Sequence, residues 1–300
     1  MNIQGQEQDS TLHAREVATQ FATEVPNGAI RRPVVLSIAG FDPSSGAGVT
    51  ADLKVFAAHG LYGMACITAL TVQSTQGVRG VEAVPASTVA ATLEMLAEDV
   101  TFAGIKLGML TNAGICSVVS EFLDSIPGVP VVLDPVLRST SGRELLEAAG
   151  IRVLSERLLA RANWTTPNWE ELAILTGATI TCRGHVTPAA EKLWNMAREV
   201  GNDRLNVLAT GGDMDPPDDY LLSAVGDSHW IPGQRVETNA THGTGCAFSS
   251  ALLCALVAGD PPFIAATKAK EYVTKALAAA YPVGRGTGPM HHLFKLDEGT

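Results

Sequence analysis

Val34-Val35-Leu36-Ser37-Ile38-Ala39, followed by Gly40-Phe41-Asp42-Pro43-Ser44-Ser45-Gly46-Ala47-Gly48, decides the fold. The first part is a short apolar run suited to a strand buried on both faces. The second is a glycine-rich turn. A helix is expected from about Ala47 to His59, and Gly60 fits its C-terminal stop. A buried strand that turns through glycines into a helix is the opening unit of an α/β protein.

The same alternation continues outward. Strands are expected at Met64 to Leu70, Gly104 to Gly108, Val129 to Leu133, Trp164 to Pro167 and Leu205 to Ala209. Helices are expected at Thr88 to Asp99, Asn112 to Leu123, Glu144 to Ala160, Asn168 to Thr176, Pro188 to Val200, Gly245 to Ala258 and Pro262 to Ala280. Val78 to Val84 alternates and reads as a more exposed strand, able to project as a small lid. Tyr220 to Val225, Ser228 to Ile231 and Gln234 to Val236 read as short meandering strands. This order predicts a mostly parallel sheet with helices on both faces. Residues 1–32 are polar, with one short amphipathic stretch from Leu12 to Phe21. They read as a flexible extension, and 33–300 as one domain.

Composition narrows the function. The 300 residues are 46% hydrophobic and 17% charged, as in a compact enzyme, and carry a formal net charge of −10. Such a charge disfavours binding to nucleic acid or anionic membrane. No apolar run reaches a membrane-spanning length. Five scattered cysteines without a CxxC pair argue against a disulfide framework or a zinc site, and a reducing cytoplasm is the expected compartment.

Ligands of an open parallel sheet bind at the carboxyl ends of its strands. Polar and glycine residues follow each expected strand there. Gly46-Ala47-Gly48 alone is equally a plain turn. It lacks the Gly-Lys-Ser/Thr of a Walker A loop and the third glycine of a dinucleotide fingerprint. Asp52, one turn into the helix, is either a surface or capping charge or a ligand contact. Thr241-His242-Gly243-Thr244-Gly245-Cys246 says more: two glycines bend the chain just before a helix, whose free N–H groups form an anion hole. Such a hole suits a transferring phosphoryl group. Cys246, in the first turn, is either a small packing residue or a thiol of depressed pKa that takes a proton from an attacking alcohol. Asn168 and Glu171 form either a capping box or a pair that holds the water shell of Mg2+, and the two readings are compatible.

The chain carries, in order, AGFDPSSGAG (39–48), ADLK (51–54), YG (62–63), TALTVQST (68–75), KLGML (106–110), DPV (134–136) with SG (141–142), TPNWEE (166–171), THGTGC (241–246) and GRGTGPMHH (284–292). This ordered set resembles the ribokinase-like superfamily, and within it the hydroxymethylpyrimidine/phosphomethylpyrimidine kinases of thiamine biosynthesis. The resemblance implies a three-layer ribokinase-like α/β fold with a small β flap. It implies ATP and Mg2+, and two successive phosphorylations, of the hydroxymethylpyrimidine and then of its monophosphate. It places Gly40, Asp52, Gln73, Met109 and Val136 on the pyrimidine. Gly243, Thr244 and Gly245 become the anion hole and Cys246 the general base. Asp134, Asn168, Glu171, Thr210 and Gly212 fall on the ATP and magnesium side, with Mg2+ held through water by Asn168 and Glu171. A homodimer is implied too.

Two departures stand out. The family commonly carries Lys-Gly-Gly-His where this chain has Thr210-Gly211-Gly212-Asp213, and a lysine where Thr140 precedes Ser141-Gly142; Arg138 lies nearby. These departures motivate a pyrimidine-binding module of weakened catalysis as an alternative. The cysteine at position 246 leaves pyridoxal kinase as another.

Overall fold

The computed structural model describes residues 31–139 and 142–297. The expected extension, except its last two residues, and the positions Thr140 and Ser141 lie outside the described residues. Nine strands form one sheet in the order β3-β2-β1-β4-β5-β6-β7-β8-β9. They are β1 Val34–Phe41, β2 Tyr62–Ser74, β3 Gly77–Ala83, β4 Gly104–Leu107, β5 Val131–Leu133, β6 Trp164–Thr165, β7 Asn206–Ala209, β8 Asp219–Leu222 and β9 Ser228–Ile231. The strands from β2 to β7 in that order are parallel; β3 and the β8–β9 pair run antiparallel at the two edges.

The helices are α1 Gly48–Ala58, α2 Ala86–Asp99, α3 Ala113–Ser125, α4 Ala148–Val153, α5 Trp169–Thr176, α6 Arg183–Glu199, α7 Thr244–Val257 and α8 Pro262–Ala278. The pleat of β1 shows how they divide. Leu36 and Ile38 point to a core shared with α2 to α6, including Val89, Val119, Leu172 and Leu193. Val35, on the alternate face, joins a second core with Phe56 of α1, Phe248 and Leu252 of α7 and Tyr272 of α8. A sheet apolar on both faces is therefore covered on both, which gives three layers.

The structure corrects several boundaries. The flap is longer than expected: β2 continues to Ser74 and turns into β3, with Ala69 opposite Ala83. Helix α6 begins at Arg183, not at Pro188. Val186, Ala189, Ala190, Leu193 and Ala197 form its buried stripe, which carries the helix across the proline. Helix α4 begins at Ala148 and runs into a π-helical turn, Leu154–Leu158, instead of starting at Glu144. Residues 234–236 form no strand. Among the described residues no helix is long and apolar enough to cross a membrane.

Candidate active site

The carboxyl ends of β1, β4, β5, β6 and β7 and the N-terminus of α7 meet at one edge. Backbone contact explains the glycines there. Gly243, the N-cap of α7, has φ 80°, and a Cβ on it would lie 1.9 Å from the carbonyl oxygen of Gly46. Gly48 has φ 59°, and its Cβ would lie 2.2 Å from the Gly40 oxygen. Only glycines allow this approach at those dihedrals. The loop after β1 thus lies against the turn before α7, and the Gly48 N–H bonds the Cys246 thiol.

Asp42 pins this loop. Its carboxylate accepts from the N–H groups of Ser44 (2.8 Å), Gly46 (3.2 Å) and Ala47 (2.9 Å), and lies 2.8 Å from His242 Nε2. Burial opposes its charge, but the bonds from His242 and Ser44 win and lower the pKa to about 2. His242 also lies 3.0 Å from the side-chain nitrogen of Gln73 on the flap. The GRGTGPMHH segment backs the same turn, where His242 donates its N–H to Gly288 (3.1 Å).

On the expected substrate side, Met109 is buried and packs over Gly40, where a Cβ would meet its methyl at 2.5 Å. Val136, half-buried, follows the Asp134-Pro135 turn. Asp52 departs from its expected place on the pyrimidine. It is 0% exposed, and both its oxygens are engaged inside the protein. Lys106 Nζ lies 3.0 and 3.1 Å from them, Ser37 Oγ donates at 2.5 Å and Ser250 Oγ at 2.8 Å. No oxygen faces outward for a ligand.

On the expected nucleotide side, Asn168 and Glu171 form the capping box. Glu171 N–H donates to Asn168 Oδ1 (2.8 Å) and Asn168 N–H to Glu171 Oε2 (2.9 Å). Thr210 is bridged to Asn168, and the Gly212 carbonyl accepts from Arg235 at 3.1 Å. Asp134 accepts from Ser249 Oγ at 3.0 Å. Burial raises the pKa of Asp134; burial and then Asp134 raise that of Glu171 to about 8. Asp134 thus raises the buried Glu171 carboxyl, while Lys106 lies 3.8 Å from Asp134 itself; with the unpartnered Thr166 hydroxyl the two carboxyls make an oxygen-rich site. That fits Mg2+, which takes few protein oxygens and keeps its waters. Among the described residues no three His, Cys, Asp or Glu side chains are grouped so as to hold a metal ion.

The sign of the Glu171 shift makes a prediction. An unfolded glutamate ionises near 4.5, the folded one near 8. The unfolded chain therefore releases its proton first, and stability falls as pH rises between those values. Glu171→Gln keeps the cap and removes this penalty. Its melting temperature should exceed that of the parent at about pH 8 in the absence of metal, and the gap should shrink near pH 5, while magnesium-dependent turnover falls. An equal gap at both pH values would contradict this account.

Cys246 is the third residue of α7, with its residue partly open at the site's mouth and its thiol deep. Contrary to the expectation of a depressed pKa, burial pushes the thiol up to about 12. Lys106 pulls the other way, and Asp134 and Asp52 add to the rise. The helix N-terminus does not outweigh desolvation here.

Lys106 opens the KLGML stretch, but the motif itself gives it no role. A lone lysine inside Gly104-Ile105-Lys106-Leu107-Gly108 is the available signal, because a charge in an otherwise apolar central strand must be paired. Ser249 and Ser250 are likewise not singled out; they sit three and four residues after Cys246, on its face of α7.

The model of the family described as phosphomethylpyrimidine kinase matches residues 42–291. The chain belongs to the phosphomethylpyrimidine kinase family. A hydroxymethylpyrimidine/phosphomethylpyrimidine kinase of Haemophilus influenzae is 37% identical over 86% of this chain and 96% of its own. The crystal structure of phosphomethylpyrimidine kinase from Clostridium difficile 630 matches with TM-score 0.70 and 32% identity, over 82% of this chain and 99% of that one. Pyridoxal kinase from Staphylococcus aureus in complex with ADP matches with TM-score 0.78 and 27% identity, over 88% and 94%. The fold is ribokinase-like, and this phosphomethylpyrimidine kinase family member is a phosphotransferase.

Proposed function

We propose that the protein transfers the γ-phosphoryl group of ATP to the hydroxyl of 4-amino-5-hydroxymethyl-2-methylpyrimidine and then a second phosphoryl group to the monophosphate, in thiamine biosynthesis. The observation that carries this reading is the backbone junction of Gly46–Gly48 with Gly243–Cys246. It sets the N-terminus of α7 between Gln73 and Met109 on one side and Asp134, Asn168, Glu171 and Thr210 on the other. Gln73 offers both donor and acceptor to an aminopyrimidine edge. Met109, Gly40 and Val136 supply the apolar wall.

In this reading the Cys246 side chain acts as its thiolate and takes the substrate hydroxyl proton as that oxygen attacks the γ-phosphorus, and the bond from phosphorus to the bridging oxygen of ADP breaks. The N–H groups of Thr244 and Gly245 take the developing charge. Bound Mg2+ supplies charge neutralisation for the phosphates, held through water by Asn168 and Glu171. A divalent cation there also offsets Asp134, one of the anions that hold the Cys246 thiol protonated. Thr210 offers a hydroxyl where the family's lysine is missing. We assign this chemistry to residues 33–300, with 1–32 as an extension, in a cytoplasmic homodimer. The exposed apolar side chains of Leu70 and Val72 on β2 and Met95 on α2 favour self-association.

The likeness to pyridoxal kinases keeps a second substrate in view. Release of ADP should be far faster with the hydroxymethylpyrimidine than with pyridoxal at equal concentration. Preferential turnover of pyridoxal would sink the pyrimidine reading.

A further inference from the structure

Lys106 is 0% exposed, on a central strand between Ile105 and Leu107. A buried ammonium is costly unless its partners are fixed. Its Nζ lies 3.0 Å from Asp52 of α1 and 3.8 Å from Asp134 at the end of β5. Each carboxylate is tied in turn to α7, Asp52 by Ser250 at 2.8 Å and Asp134 by Ser249 at 3.0 Å. Cys246, Ser249 and Ser250 share one face of that helix, so the thiol faces the same buried group. A Cβ at Gly108 would lie 2.9 Å from Lys106 Nζ, so the chain leaves room for the ammonium. A counter-ion for one buried aspartate needs none of the second carboxylate, the two serines or the neighbouring thiol.

We propose that Lys106 is a positioning residue for phosphoryl transfer, its buried ammonium holding Asp52 and Asp134 beneath the first turn of α7 and fixing the field in which Cys246 accepts the substrate proton. The charged groups that act on the thiol come from each element around it: Lys106 from β4, Asp52 from α1 and Asp134 from the turn after β5. Of these only Lys106 favours the thiolate. The proposal rests on Cys246 as proton acceptor.

The experiment compares Lys106→Met/Asp52→Asn, which removes the Lys106–Asp52 pair together and leaves Asp134 with Ser249 as its hydrogen-bond partner, with the parent and with Cys246→Ala. For each, kcat and the pyrimidine KM are measured, along with the melting temperature and the rate at which iodoacetamide labels Cys246, read by peptide mapping. The double variant should stay folded. Its kcat should fall about 10–100-fold, as when a supporting partner of a reacting group is lost. Its KM should stay within about threefold and its labelling should slow about tenfold, because a uniform loss of binding is not expected. Parental kcat and labelling in the folded double variant would overturn the proposal and leave Lys106 a counter-ion. If that variant does not fold, Ser250→Ala takes its place: a kcat lowered at constant KM supports the proposal, and parental kcat overturns it. A parental rate in Cys246→Ala would instead fail the base reading, a distinct result.

Discussion

Cys246→Ala is expected to lower kcat by about 10²–10⁴-fold, the usual worth of a positioned general base, and to leave the pyrimidine KM within about threefold. The side chain lost is small, and its backbone N–H stays in the anion hole, so the helix start should persist. In the resting protein burial and two aspartates hold the thiol up to about 12. In the proposed mechanism a divalent cation held by Asn168 and Glu171 would offset Asp134, one of those anions. The pH profile should show it: the kcat of the parent rises with pH until the thiol in the ternary complex is ionised, and the residual rate of the variant lacks that limb. An unchanged kcat in Cys246→Ala would remove the residue from the proton step.

Gly243→Ala should be as damaging by a different route. The residue has φ 80°, where an L side chain is strained, and the new Cβ would meet the Gly46 oxygen at 1.9 Å. Backbone cannot yield as a side-chain tip can, so the turn or the β1 loop must move. Either motion misaligns the first-turn N–H groups, and losing one such donor typically costs about 10²–10³ in kcat. Stability should fall as well, by roughly 1–3 kcal/mol for one strained position. Kinetics and a denaturant melt of the same variant read both effects. A Cβ on Gly245 would meet nothing within 4 Å, so Gly245→Ala should cost much less stability. Equal destabilisation at the two positions would contradict the backbone-contact explanation.

Most of the fold could be read in the sequence because its signals are local. Val34 to Ala39 is apolar on both faces, glycines close the strands, and helices such as α7 and α8 are long. Pro188 misled because proline favours the first turn of a helix, whereas here the buried stripe from Val186 to Ala197 decides. The turn into α7 was legible for the same reason as the strands, since glycines before a helix determine a local shape. Asn168 and Glu171 were legible as a cap from their spacing alone.

What could not be read were quantities set by distant partners. Asp52 looked free because Lys106, 54 residues away, is invisible to a local pattern. The thiol of Cys246 looked acidic because its position at a helix start is local, while its burial is tertiary. The role of Lys106 required β1, β4, β5, α1 and α7 to be placed together before it had any meaning.

Mass spectrometry of the products formed from 4-amino-5-hydroxymethyl-2-methylpyrimidine with Mg·ATP tests the central claim most directly. The monophosphate is expected first and the diphosphate after it, both formed far more slowly in Cys246→Ala. Pyrimidine bound but recovered without any added phosphate would contradict it.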